Sequence, residues 1–215
     1  AVQVVPHVGE AAKQLYVFQR TPSGVDVRGN APTDPEWAAS LKPGWQKERM
    51  NNFNALVSGI PQEVNLVDDG WTDLIGNMLD LQKNGAKDDK HNRSLPEIME
   101  LANFEKMNEI RARVDELVAD PDTAEALKPY YQMFCKRPCF HDDYLPTFNR
   151  PTVKLIDTNG QGVDRITETG LIVNGIEYEV DCIIFSTGFE VGTEFVRRKG
   201  YPVIGKDGQS LTDKW

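Results

Sequence analysis

Residues 134 to 150 read FCKRPCFHDDYLPTFNR, in which Cys135 and Cys139 flank the adjacent cations Lys136 and Arg137. His141, Asp142 and Asp143 follow at once. Three chemistries could use such a set. A metal site would have to be built from Cys135, Cys139 and His141. That spacing supplies three ligands, whereas structural zinc takes four and commonly draws them from C-x2-C pairs. Two cations beside a dication oppose it further, so no metal is expected. A disulfide between Cys135 and Cys139 is disfavoured by the low, odd count of three cysteines, which points to a reducing compartment. The remaining chemistry is an anion site, with Lys136 as a point charge and Arg137 as a rigid fork of donors. Its plain alternative is a solvated basic pair with the cysteines acting as small hydrophobes. His141, Asp142 and Asp143 read as a turn that orients Arg137 through an ion pair.

Two other stretches could do chemistry. LYVFQ (15 to 19) is followed by Arg20 and Thr21. In a dinucleotide-binding βαβ unit, the residue ending the second strand faces the adenosine ribose. An acid there accepts from the 2′-hydroxyl of NAD, and an arginine pairs with the 2′-phosphate of NADP. Arg20 stands in that place with the Thr21 hydroxyl beside it, although no GxGxxG precedes it and a solvated arginine is the ordinary reading. The third stretch, DCIIFSTGF (181 to 189), runs from apolar residues into Ser186, Thr187 and Gly188. Small residues at a strand's carboxyl end let a ligand or another strand come close.

The composition bounds the partners. The chain has 215 residues and a net charge of −9, from 24 basic and 33 acidic side chains. That balance disfavours nonspecific binding to nucleic acid or anionic membrane. Any bound anion must be held by local cations against the mean field. No apolar run is long enough to span a membrane and no signal peptide is evident, so a cytoplasmic setting is expected.

The elements that must position these residues follow from periodicity and punctuation. Residues 1 to 12 read as a short helix and 15 to 19 as a buried strand, the second half of a βαβ unit. A Pro/Gly-rich loop spans 21 to 35. Asp34-Pro35-Glu36 starts a helix that is interrupted at Pro43-Gly44 and resumes over 46 to 58. Helix is expected over 71 to 84 and a charged loop over 84 to 92. Ser94-x-x-Glu97 is a capping box opening a long helix. Ile98, Leu101, Met107, Ile110, Val114 and Leu117 make its apolar face. Pro121 ends that region and a further helix covers 123 to 134. Strands are expected at 152 to 156, 163 to 167, 171 to 180 and 181 to 186, with a hairpin turn at Asn174-Gly175. The opening, AVQVV, starts inside a buried helix, so a preceding strand and glycine turn are expected upstream of Ala1.

Three runs, LYVFQRTP (15 to 22), CKRPCFHDDYLPTFNRP (135 to 151) and DCIIFSTGFE (181 to 190), together resemble the class B flavoprotein monooxygenases, and among them the Baeyer–Villiger monooxygenases. Their order matches and the resemblance covers essentially the whole chain. It implies an α/β fold: a partial Rossmann-like NADP-binding domain with a mainly helical insertion. The implied parts are 1–34 and 135–185 for the NADP domain, 35–134 for the helical subdomain and 186–215 for the return to an FAD-binding domain.

The resemblance also implies NADPH and FAD as cofactors. It implies O2 and a small-molecule ketone as substrates, and the missing parts of the same chain as partner. Reduced flavin would give a peroxyflavin that converts the ketone to an ester or lactone. Arg20, Thr21 and Lys136 would bind the adenosine 2′-phosphate. Arg137 would be the catalytic arginine and touch the cofactor. Ser186-Thr187-Gly188, standing where the family usually has Ala-Thr-Gly, would lie at the crossover back to the flavin domain, with Thr187 and Gly188 binding cofactor. Both glycine motifs and the family fingerprint between them are absent from these residues. The fragment alone is therefore expected not to turn over. Alternatives are an N- or S-oxygenating flavin-containing relative and a noncatalytic NADP(H)-binding module.

Overall fold

The computed structural model describes residues 1–80, 94–188 and 193–214. The chain divides into two compact units, Val2–Asp181 and, with Ala1, Cys182–Trp215.

The larger unit opens with helix α1 (Val4–Ala11), which buries Val5, Pro6 and Gly9. Gly9 is needed for close approach, because a Cβ there would lie 2.9 Å from Cγ2 of Thr147 and 3.2 Å from Cγ2 of Val153. Strand β1 (Leu15–Gln19) follows, and next comes the two-residue strand β2 (Val25–Asp26). The helical stretch is α2 (Pro35–Ser40), α3 (Trp45–Val57), α4 (Gly70–Asp80), α5 (Leu95–Leu117) and α6 (Pro121–Leu127). Their starts are chemically marked. The Asp34 carboxylate accepts from the Glu36 N–H at 2.8 Å, that of Asp120 from Thr123 N–H at 2.8 Å, and that of Glu97 from Ser94 N–H at 2.7 Å.

The chain returns through β3 (Cys139–Phe140), the short helix α7 (Tyr144–Thr147) and β4 (Val153–Asp157). β4 pairs in parallel with β1, from Leu15 against Val153 to Gln19 against Asp157, and β3 pairs in parallel with β2. Strands β5 (Arg165–Ile166), β6 (Gly170–Val173) and β7 (Ile176–Glu179) form an antiparallel sheet. Its hairpin turns at Asn174 (φ 51°) and Gly175 (φ 76°), the paired left-handed geometry that the Asn-Gly dipeptide favours. The core joins α1, β2, the end of α5, α6, α7 and β4 through Val5, Val25, Val114, Leu127, Leu145 and Val153. The architecture is mixed α/β.

The smaller unit carries α8 (Phe195–Lys199), which ends at Gly200 with φ 77°, and α9 (Leu211–Lys214). An isolated bridge joins Ile204 to Ser210.

Several expectations are corrected. Residues 181–186 form no strand; Ile184 and Phe185 are 55% and 71% exposed. An apolar run becomes a strand only when a neighbour takes its N–H and C=O groups, and none pairs with it among the described residues. The helix expected over 123 to 134 is α6, which begins at Pro121 and stops at Leu127. Pro121 is a starter here because a proline in the first turn loses no hydrogen bond. The strand at 163 to 167 shortens to Arg165–Ile166, and the loop at 21 to 35 contains β2. Leu101 of the expected apolar face is 39% exposed, while Ile98, Met107, Ile110 and Val114 are buried. The loop expected at 84 to 92 and the end of the helix before it lie outside the described residues.

Candidate functional site

The site forms where the end of β1 meets the segment that leads into β3. Both lie in the larger unit. Gln19, last in β1, is buried. Its carbonyl accepts from both the N–H and the hydroxyl of Thr158, at 2.8 Å each. Its side-chain amide donates to the Ala126 carbonyl at 2.8 Å. The strand end is thereby fixed, and Arg20 and Thr21 project beyond it as exposed residues.

Lys136 reaches back to this strand end across more than a hundred residues of sequence. Its ammonium donates to the Pro22 carbonyl at 2.8 Å, to the Thr21 carbonyl at 3.2 Å and to the Thr21 hydroxyl. These are neutral acceptors. The Tyr131 ring lies beneath, with its centroid 5.1 Å from Nζ. Burial and then the charge of Arg20 hold the Lys136 ammonium below the usual lysine range. Arg137 is exposed, with its guanidinium carbon 6.0 Å from the centre of the Trp71 ring. Trp71 is set by the start of α4, where the Asp69 carboxylate accepts from the N–H groups of Trp71 and Thr72 at 3.1 Å each. Its other face contact is Phe140, edge to face at 5.6 Å.

The three cations share one property. Among the described residues, none of Arg20, Lys136 and Arg137 has an ion-pair partner. In a chain with nine more acids than bases, cations left without a carboxylate, with Arg20 acting on Lys136 at the end of β1, are suited to an outside anion. A small cavity of about 30 Å³ lies beside Lys136 and Arg137, lined by Gly24, Asp26, Lys106, Tyr131 and Phe140 among others.

The acids of the HDD run act elsewhere. Asp142 does not pair with Arg137. Its carboxylate accepts from the N–H groups of Arg28 at 2.9 Å, Gly29 at 3.2 Å and Asn30 at 3.1 Å, with Arg113 at 3.9 Å. Partial burial pushes this carboxyl up, and the three N–H donors outweigh it and hold the pKa below the ordinary value. Arg113 also donates to the His141 carbonyl at 3.3 Å. Asp142 therefore ties the chain leaving β2 to the chain leaving β3.

Cys135, Cys139 and Cys182 are free thiols. Burial raises the pKa of Cys139, whose Sγ lies 3.5 Å from the Arg137 carbonyl. Among the described residues no group of three His, Cys, Asp or Glu side chains could hold a metal ion, and no helix is long and apolar enough to cross a membrane. Thr187 and Gly188 belong to the smaller unit, where both are exposed and Gly188 has φ 89°. The structure thus brings Arg20, Thr21 and Lys136 together at the end of β1, while Arg137 lies over Trp71 of α4. Sequence reasoning missed Tyr131, Trp71 and the Asp142 clasp. The position of Tyr131, five residues before Lys136, was its only mark in the sequence.

Comparison with known proteins adds the following. No family model matches the chain. A neopentalenolactone D synthase of Streptomyces avermitilis is 54% identical over 217 residues, covering 100% of this chain and 36% of that protein. A Baeyer–Villiger monooxygenase of Stachybotrys chlorohalonatus is 51% identical over 100% of this chain and 34% of its own length. The solved structure of a polycyclic ketone monooxygenase from Thermothelomyces thermophila is 41% identical with a TM-score of 0.77, covering 100% of this chain and 36% of that one. OTEMO, solved in complex with FAD and NADP, is 25% identical with a TM-score of 0.63, over 100% of this chain and 40% of that one. The chain spans about a third of the length of the curated relatives it matches.

Proposed function

We infer that the chain is part of a Baeyer–Villiger monooxygenase, a flavoprotein that uses NADPH and O2 to insert oxygen beside a ketone carbonyl, giving an ester or lactone. The relatives match along the whole chain, and the site's own chemistry agrees. The observation that carries the reading is the pair Arg20 and Lys136, held close together at the end of β1 with no ion-pair partner among the described residues.

The residues suit the 2′-phosphate of NADPH. Arg20 offers five N–H donors, none of them engaged within the described residues. Lys136 adds a charge held close to Arg20 against their repulsion, and a dianion would relieve that repulsion. Thr21 accepts from Lys136 through its hydroxyl oxygen and keeps its own hydrogen to donate. The sheet joined by β1 and β4 is read as part of a Rossmann-like domain, with the helices from α2 to α6 as its insertion. Thr187 and Gly188, at the crossover, would allow the cofactor's close approach.

FAD, bound mainly by the rest of the polypeptide, would supply the activated oxygen. Arg137 would hold the negative charge that develops as oxygen enters the substrate. A guanidinium stays protonated throughout and is the better choice for that role. Trp71 holds it by one face without neutralising it.

The test uses the full-length protein with FAD. In Arg137→Ala, ketone oxygenation should fall by about a hundredfold or more, while flavin reduction by NADPH largely survives. If both reactions persist at wild-type rates, the assignment of Arg137 is wrong.

A further inference from the structure

We propose that Tyr131 is a positioning residue for the phosphate site and sets how strongly this chain prefers a 2′-phosphorylated nucleotide. The proposal rests on the reading of Arg20, Thr21 and Lys136 given above.

The geometry is specific to two segments far apart in sequence. The Tyr131 hydroxyl accepts from the Gly24 N–H at 2.7 Å. Gly24 lies on the turn that carries Arg20 and Thr21 out of β1, three residues beyond Thr21. The other end of the same side chain, its ring, supports the Lys136 ammonium at 5.1 Å. One side chain thus fixes the spacing between the turn and the lysine. The lysine completes the arrangement with its bonds to Thr21 and Pro22.

The electrostatics explain why an aromatic serves here. Burial, and after it the charge of Arg20, disfavours the charged form of Lys136, so the ammonium needs support. A carboxylate would give it but would also neutralise the site and repel phosphate. A π face attracts the cation and leaves its net charge available to a ligand. Half-burial pushes the Tyr131 hydroxyl pKa up against the opposing pull of the Gly24 N–H.

The experiment titrates the full-length protein with 2′,5′-ADP and with 5′-AMP by calorimetry and takes the ratio of the two dissociation constants. Wild type should favour 2′,5′-ADP. Tyr131→Leu should lower that selectivity about tenfold while leaving 5′-AMP binding nearly unchanged. Tyr131→Phe keeps the ring but releases the Gly24 N–H and should lower the selectivity about threefold, less than the leucine variant; a loss as large as that of the leucine variant would overturn the role of the ring face. Pentafluorophenylalanine at position 131 keeps the shape, reverses the ring face and should behave like the leucine variant, which decides the matter even if the latter does not fold. Unchanged selectivity in both the leucine and fluorinated proteins would overturn the proposal. So would an equal loss for both nucleotides, which marks a structural role only. Wild-type protein that binds both alike would remove the phosphate reading itself, and the proposal with it.

Discussion

At the scale of single residues, Asp142 shows how one carboxylate can organise backbone. Three N–H groups of residues 28–30 converge on it, and Arg113 stands at 3.9 Å. Replacing it with Asn keeps an acceptor for two of those groups but turns an N–H donor toward the third. Asp142→Asn should cost about 1 kcal/mol at neutral pH, discounted for its partial exposure. The sign of the pH dependence follows from the lowered folded pKa. The stabilisation is fully present above the unfolded carboxylate pKa and is lost as pH falls through the folded value. Urea denaturation of wild type and variant should therefore converge below about pH 4. A gap between them that is constant from neutral to acid pH would contradict the charge-based account.

Arg20 and Lys136 offer a contrast at the same scale, since they were legible as chemistry in the sequence. The end of an aromatic, β-branched strand and an adjacent cation pair are local signals. What Asp142 bonds to was not legible, because residues 28 and 142 are neighbours only after β2 and β3 have paired. An acid near an arginine reads as an ion pair, yet three backbone donors in a turn compete better than one long, exposed side chain.

Among the elements, those with chemical punctuation were readable. Asp34, Ser94-x-x-Glu97 and Asn174-Gly175 each mark a boundary that the backbone obeys. Elements defined by their partner were not. The run at 181–186 has strand composition without a ladder, and β2 and β3 are two residues each, set by pairing alone. The hairpin of β6 and β7 has a further constraint invisible in the sequence. A Cβ placed on Gly170 would sit 1.9 Å from the Tyr178 carbonyl oxygen, which is backbone and cannot swing aside. Gly170→Ala should destabilise the protein by about 3 kcal/mol and raise amide exchange across residues 170–179 before the rest. Wild-type exchange in that hairpin would show that the strands separate cheaply.

For the whole molecule, exposure differs sharply between the two units near their boundary. Phe185 is 71% exposed on a segment with no ladder, whereas the apolar residues of β6 before it, Leu171 and Val173, are buried. Limited chymotrypsin digestion of the 215-residue chain should cut first after Phe185 and leave residues 1–185 as the durable product. First cleavage inside α5 or β4 would mean that the larger unit is the less stable one.

The parallel pairing of β1 with β4 also sets a schedule for synthesis. Leu15 pairs with Val153, so β1 leaves the ribosome with this partner still untranslated. At roughly 5 to 20 residues per second, the wait for those 138 residues is about 7 to 28 seconds. During that time Tyr16 and Phe18 have no β7 residue to pack on, although in the finished molecule both rings meet Tyr178 at 5.3 Å. Until then the edge of β1 that will take β4 stays open, a template for pairing with another chain. The contact between Lys136 and Thr21 at the tip of β1 likewise waits until 115 residues beyond Thr21 have been made.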